Sequence, residues 1–147
     1  MKAAQGEIGR VFVLRLEDGD RLPDSLEEFA AENKVRSAFC ALVGGAGQGK
    51  VVVGPRDGNS DTIEPMLAHL SQVHEAAAVG TIFPDAGGRP KLHMHAALGR
   101  GQSALCGCVR TGVDIWRIAE VVMIELKDLA MSRKIDPTFG FEILTTD

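Results

Sequence analysis

Alternating apolar and polar residues dominate this chain, and they predict a protein built mainly from β-strands. Residues 10–16 alternate, are rich in strand-favouring side chains and run into the Gly19-Asp20 turn, so they predict the first strand. Residues 116–126 fit helix or strand, and their second half favours strand. Further strands are predicted at 37–43, 50–54, 72–83, 91–98, 103–110 and, as a closing edge strand, 139–144.

One long segment has the periodicity of a helix instead. Apolar residues recur there every three or four positions, which predicts a helix over residues 22–34. Residues 63–70 are also helix-like, with His69 on the surface near the end. One main helix packed on a mostly antiparallel sheet defines an α+β fold.

Turn-forming residues separate the predicted strands. The run 84–88 and the hairpin-length spacings after it predict an antiparallel meander. The glycine-rich run 44–49 matches the spacing of a phosphate-binding loop up to Lys50. Val51 replaces the hydroxyl that Mg²⁺ requires, and strand-forming residues follow where a helix N-terminus should meet the phosphates. We therefore interpret residues 44–49 as a turn between two strands.

Composition narrows the class of protein. A chain of 147 residues that is 45% hydrophobic is expected to form one domain over residues 1–147. The formal net charge of −4 argues against a protein held to nucleic acid by overall positive charge. No apolar run approaches the roughly 20 residues of a membrane helix. Three cysteines and an N-terminus without a signal pattern lead us to expect a cytoplasmic protein with reduced thiols and no membrane partner.

The pair His93 and His95 is the strongest candidate for chemistry. Alternate side chains of a strand leave from one face, so the two imidazoles project together. Cys108 lies on the next predicted strand, where a hairpin return can bring its thiolate beside them. Imidazole and thiolate are ligands that zinc prefers, and three protein ligands leave a fourth position open. We predict that these three residues bind zinc or another divalent transition metal, with Cys106 as a less favoured ligand; two hydrogen-bonded histidines without metal are the alternative.

Charged residues near this pair suggest a role for the metal. Glu75, on the preceding strand, would orient an imidazole or act as a general base. Residues 86–119 contain five basic side chains and one acidic side chain, which predicts either an anionic ligand near the metal or a solvated basic face. The catalytic candidates are therefore Glu75, with Arg100 or Arg110 holding an anion.

Taken in order, these motifs resemble the plants and prokaryotes conserved (PPC) domain over about residues 8–145. The resemblance is carried by Gly19-Asp20, the strand and turn at 43–47, Glu75 with Gly80, His93-Met94-His95-Ala96-Ala97-Leu98, and Ala119-Glu120-Val121-Val122. Aligned without a gap, Cys108 stands where the family's Gly-Gly-His-Leu segment has its third histidine. Cysteine is itself a zinc ligand, so the replacement preserves a possible site.

The resemblance implies an α+β fold that assembles as a homotrimer. In plants the domain follows AT-hooks that bind DNA, and stand-alone prokaryotic members are often described as DNA-binding. In this chain the hook-like residues 88–91 fall in a predicted hairpin turn. The interpretation that follows is a metal-binding PPC protein with a DNA-binding or regulatory role. The alternative is a metal-dependent hydrolase or lyase acting on a small anionic substrate.

Overall fold

The computed structural model describes residues 1–60 and 63–146, and antiparallel pairing organises most of them. The strands are β1 (Glu7–Glu17), β2 (Arg21–Leu22), β3 (Ala38–Pro55), β4 (Pro65–Leu70), β5 (His74–Pro84), β6 (Pro90–Arg100), β7 (Ser103–Cys108), β8 (Val113–Lys127), β9 (Met131–Ile135) and β10 (Glu142–Thr146). A single α-helix, α1, spans Asp24–Glu32, and a 3₁₀ turn spans Val109–Thr111. The predicted α+β class, with one α-helix on a mostly antiparallel sheet, is confirmed for the described residues.

Eight strands form one sheet in the order β1-β8-β3-β5-β6-β7, with β2 added to β8 and β4 added to β3. The far end of β3 also pairs with β7, where Val52 faces Cys108. Strands β5, β6 and β7 form the predicted meander, because short turns connect each to the next. The sheet therefore bends back on itself beside β7.

Helix α1 packs on the inner face of the sheet. Leu26 and Ala30 are fully buried there, as their spacing predicted. The helix begins two residues later than predicted because Leu22 belongs to β2, where it pairs with Val113. Glu27 accepts a hydrogen bond from the backbone N–H of Leu92 at 2.9 Å, which joins the helix to β6. Among the described residues, no helix is long and apolar enough to cross a membrane.

The glycine-rich run 44–49 is not the predicted turn, because β3 continues through it without a break. The register against β8 shifts within this run, and the strand bends there instead of reversing. A Cβ at Gly44 would lie 2.4 Å from the Cα of Ala119, so only glycine permits this approach of the two strands. The continuous strand also rules out a phosphate-binding loop.

Three other segments differ at least in part from their predicted structure. The helix-like segment 63–70 contains strand β4, which pairs with β3, and His69 is exposed on it as predicted. All of residues 116–126 are strand, as part of β8. The predicted closing strand begins at Glu142 and does not join the large sheet, because it pairs with β9 in a separate two-stranded sheet.

The outer face of the large sheet is apolar and exposed. One row of paired residues crosses six strands on this face, from Val13 through Val122, Ala41, Val79 and His95 to Cys108. Val13 is 77% exposed and Val79 is 59% exposed. We call this surface the outer face; the candidate metal ligands lie at one end of it.

Candidate metal centre

Strand β6 directs both candidate histidines to the outer face. Leu92, Met94 and Ala96 alternate with them and are buried in the core, so burial of the apolar residues decides which way the histidines point. A shift of one residue in register would bury both imidazoles and expose the core residues. The sequence pattern thus sets the direction of the two side chains.

The geometry of the pair suits a metal ion. The Nε2 atoms of His93 and His95 lie 3.2 Å apart. Two nitrogen ligands of a tetrahedral zinc ion, each about 2.0–2.1 Å from the metal, are separated by about 3.3 Å. The two imidazoles therefore already have the spacing of a chelating pair.

Cys108 completes the cluster. It is the cross-strand partner of His95, and its Sγ and the two imidazoles offer ligand atoms that all lie within 4.8 Å of one another. Val52 holds Cys108 from the opposite side. The cysteine is buried, while both histidines are exposed. The cluster thus has a thiolate donor at its base and imidazoles that face the surface.

The electrostatic environment keeps His93 in the form that binds metal. Loss of solvation lowers the pKa of His93 below its usual range, and the positive charges of Arg133, His95 and Arg110 lower it further. A neutral imidazole has the lone pair that a metal requires, whereas a protonated one must first release its proton. The surrounding arginines therefore reduce proton competition at this ligand.

Two cavities meet at the cluster. One, of about 180 Å³, contains His93, His95 and Cys108 in its wall. The other, of about 240 Å³, also includes His93 in its wall. His93, Arg110 and Phe141 line both cavities, so a molecule in the larger one would lie next to a candidate metal ligand.

The other sequence candidates divide into those near the cluster and those away from it. Arg110 lines both cavities. Val79 on β5 is the cross-strand partner of His95, whereas Glu75 is the partner of Gly99. Glu75 precedes Val79 by four residues, which places it about 13 Å along the strand from the partner of His95. Arg100 donates a hydrogen bond to the carbonyl oxygen of Val73 at 2.8 Å, at the same distant end.

The remaining cysteines lie outside the cluster. Cys106 is exposed and is the cross-strand partner of Ala97, which is the next residue after His95 on the same face of β6. Cys106 and His95 both line an apolar cavity on this face. Cys40 is fully buried in the core, as its apolar strand predicted. Burial raises the pKa of the Cys40 thiol to about 12, so it stays protonated.

Sequence reasoning missed two residues at the site, Arg133 and Phe141. Arg133 is only 6% exposed and lies on β9, a strand that was not predicted. Phe141 precedes β10 and reaches the cluster because β9, the partner of β10, packs against β5. Neither residue belongs to a local pattern that indicates a site.

Solved structures with the same fold come from archaea and bacteria. A metal-containing protein from Archaeoglobus fulgidus superposes with a TM-score of 0.86 at 24% identity, and the match covers 99% of each chain. A PPC protein from Pyrococcus horikoshii gives 0.82 at 20% identity, covering 100% of this chain and 99% of the other. A candidate DNA-binding protein from Ralstonia eutropha gives 0.72 at 19% identity, covering 100% and 95%. At these identities the likeness establishes the fold.

Comparison by sequence identifies the family. The curated relatives that the chain matches are bifunctional GlmU proteins from Synechococcus, and the chain spans about a fifth of their length. One of them is 30% identical over 135 residues, and this match covers 90% of this chain and 20% of the relative. The family model of the Plants and Prokaryotes Conserved domain, abbreviated PCC or PPC, matches residues 3–127. That match covers most of the chain and includes all three residues of the His93, His95 and Cys108 cluster, so the chain belongs to the plants and prokaryotes conserved domain family.

Proposed function

We propose that this PPC domain binds one divalent transition metal ion, with zinc as the best fit, through His93, His95 and Cys108. The single observation that carries the proposal is the 3.2 Å separation of the two Nε2 atoms with Cys108 opposite His95. Two imidazoles and a thiolate are soft enough to favour zinc over magnesium or calcium. The metal-containing description of the Archaeoglobus protein, which shares the fold, agrees with this proposal.

The proposal includes assembly as a homotrimer through the outer face. Val13, Val43, Val79 and Val122 are all more than 40% exposed on this face. Contiguous exposed apolar surface of this kind marks an interaction site. A second copy covering the face would also cover one side of the metal cluster, because His95 belongs to the same row of residues.

A regulatory role through DNA has less support. The description of the Ralstonia protein points to DNA, but the formal net charge of this chain is −4. Many of its basic side chains are already neutralised by ion pairs, among them Arg10–Glu125, Arg15–Glu17, Arg21–Asp114, Arg56–Glu64, Arg89–Asp85 and Lys91–Glu27. A protein that binds duplex DNA needs unpaired basic groups to neutralise phosphates.

The second candidate function is a metal-dependent hydrolase or lyase. It is favoured by one observation: three protein ligands face open cavities, which is the arrangement of catalytic zinc sites. A zinc ion there supplies Lewis-acid chemistry. Arg110 would hold an anionic substrate next to His93. Glu75 is too far along β5 to serve as the base.

Metal content tests the proposed function. Protein purified without a metal-affinity resin and under reducing conditions is expected to contain about one zinc or similar ion per chain by elemental analysis. Cys108→Ala and His95→Ala should lose most of the metal. Cys106→Ala is the matched control, because it removes a thiol from the same strand outside the cluster, and it should retain the metal. Wild-type protein without metal, or loss of metal only in Cys106→Ala, would refute the assignment.

A further inference from the structure

The cavity of about 240 Å³ beside His93 contains two arginines that come from different parts of the fold. Arg110 follows the end of β7, whereas Arg133 lies on β9. Each contributes positive charge at His93, since both lower its pKa. Two guanidinium groups around one small cavity are a common means of binding an oxyanion.

Arg133 is held rigidly in place. Its Nη2 donates to the carbonyl oxygen and to Oγ1 of Thr81, both at 3.1 Å, and its Nε donates to the carbonyl oxygen of Lys91 at 3.3 Å. The guanidinium also lies 5.9 Å from the ring centre of Phe83. Within the described residues Nη1 donates no hydrogen bond, and no buried side-chain nitrogen or oxygen there lacks a partner, so Nη1 is not fully buried. Because Arg133 lines the cavity, Nη1 is the donor that remains for a ligand there.

Arg110 is the exposed counterpart of this fixed group. No hydrogen bond or ion pair of its side chain is found within residues 1–60 and 63–146. It lines both cavities and stands two residues after Cys108. An exposed, unpaired arginine beside a buried one leaves room for a ligand to join them.

The charge of the cavity selects the class of anion. Lys91, Arg110 and Arg133 line it together with Glu27 and Glu142, which leaves one net positive charge. Lys91 is already paired with Glu27 at 3.2 Å. A singly charged carboxylate would neutralise this net charge, whereas a dianionic phosphate would leave one uncompensated negative charge in the cavity. Leu92 and Phe141 add an apolar wall suited to a short carbon chain.

We propose that this cavity binds a small organic carboxylate, held by Arg110 and Arg133 and extending past His93 toward the metal. The placement of one end of the ligand near the metal rests on the proposed function. Binding of its carboxylate by the two arginines does not require the metal. A cavity of about 240 Å³ holds a ligand of about eight non-hydrogen atoms, taking about 30 Å³ for each water-sized group. The ligand is therefore the size of a short carboxylic acid.

Propionate is the probe, and inorganic phosphate is the comparison. NMR titration of zinc-loaded protein in a buffer free of carboxylates should shift the side-chain N–H signals of Arg110 and Arg133 when propionate is added. Arg110→Gln should weaken propionate binding by about tenfold or more, because it removes a charge-assisted hydrogen bond. Arg89→Gln removes the same charge from an exposed turn outside the cavity and should leave the Kd unchanged. Arg133→Lys retains the charge but loses the planar fork, so it should also weaken binding.

Three outcomes would overturn the inference: no propionate binding, binding unaffected by Arg110→Gln, or tighter binding of phosphate than of propionate. The same titration on chelator-treated protein separates this inference from the metal assignment. Propionate binding that persists without metal and depends on Arg110 supports the arginine site even if elemental analysis finds no zinc. Zinc in the protein without any propionate binding leaves the proposed function intact and refutes the carboxylate site.

Discussion

His95 and Cys108 lie directly opposite each other on the neighbouring antiparallel strands β6 and β7. Side chains paired in this way have Cβ atoms about 4.5–5.5 Å apart and point to the same face. His93 lies on β6 two residues before His95, and its Nε2 is 3.2 Å from that of His95. The backbone pairing of the sheet therefore brings the candidate metal ligands together.

Replacement of the third ligand tests this relationship. Cys108→His should keep about one metal ion per chain, because an imidazole at the same position is also a zinc ligand. Cobalt-substituted wild type should show thiolate-to-cobalt charge-transfer absorption, and Cys108→His should lose it while retaining cobalt. If the absorption survives in this variant, another thiolate, such as that of Cys106, is the ligand.

Thiol reactivity should distinguish all three cysteines. Cys106 is exposed, Cys108 is a proposed metal ligand, and Cys40 is buried with its pKa raised to about 12. Because the thiolate is the reactive form and a reagent reaches Cys106 only where the outer face is uncovered, one thiol should react rapidly in the metal-loaded protein at a concentration low enough to dissociate the trimer. Chelation should raise the count to two, and Cys40 should react only after unfolding. A count that chelation does not change would contradict metal binding by Cys108.

The outer face should govern self-association. Val79→Lys places a charge in the middle of this face, where the native side chain is 59% exposed. Sedimentation should show a trimer for wild type and a shift toward the monomer for the variant, because a charge buried without a partner opposes the contact. Ile135→Lys, on β9 and 70% exposed, is the control and should leave the trimer intact. A monomeric wild type would refute the assembly.

The ion pair of Arg10 and Glu125 should make stability depend on acid pH. Hydrogen bonds from Arg10 lower the pKa of Glu125 from its ordinary value of 4.5 to about 2. A lowered carboxylate pKa stabilises the fold above the ordinary value, and this stabilisation disappears as the pH falls from 4.5 toward 2. Glu125→Gln should therefore lower the free energy of unfolding near neutral pH by about 1.5–3 kcal/mol, with the difference fading below pH 3 or so.

Urea unfolding of chelator-treated protein at several pH values measures this effect. The matched control is Glu17→Gln, which removes a carboxylate from an exposed pair with Arg15. An exposed pair contributes at most about 1 kcal/mol, so this variant should follow the wild-type pH profile closely. Equal loss of unfolding free energy in the two variants would show that the burial of Glu125 does not strengthen its ion pair with Arg10.

The close approach of β3 and β8 should make Gly44 sensitive to substitution. Its φ of +153° and the 2.4 Å that would separate an added Cβ from the Cα of Ala119 both oppose a side chain. Gly44→Ala should cost about 1–3 kcal/mol in urea unfolding. Gly58→Ala is the control, because nothing lies within 4 Å of its added Cβ. A neutral Gly44→Ala would mean that the two strands can separate at little cost.

Several features of the site were predictable from local pattern. Alternation on β6 sets the two histidines on one face, and the hairpin length brings β7 alongside them. Turn-forming residues after Phe83 predict the end of β5, and the spacing of apolar residues predicts the buried face of α1. The continuous β3 was not predictable, because the glycines at 44–49 allow a turn or a bent strand equally well. Packing against Ala119 on a distant strand decides between them.

The sequence by itself determined which side chains are candidate metal ligands, since strand alternation and the ligand chemistry of cysteine and histidine are local properties. Only the tertiary structure decided what surrounds the cluster. It moved Glu75 about 13 Å along the strand from the histidine pair and brought Arg133 from β9 into the cavity beside His93. It also aligned Val79 with His95 in one apolar row. The physical reason is that register, bulges and sheet closure depend on contacts between residues far apart in the chain, which no short pattern encodes.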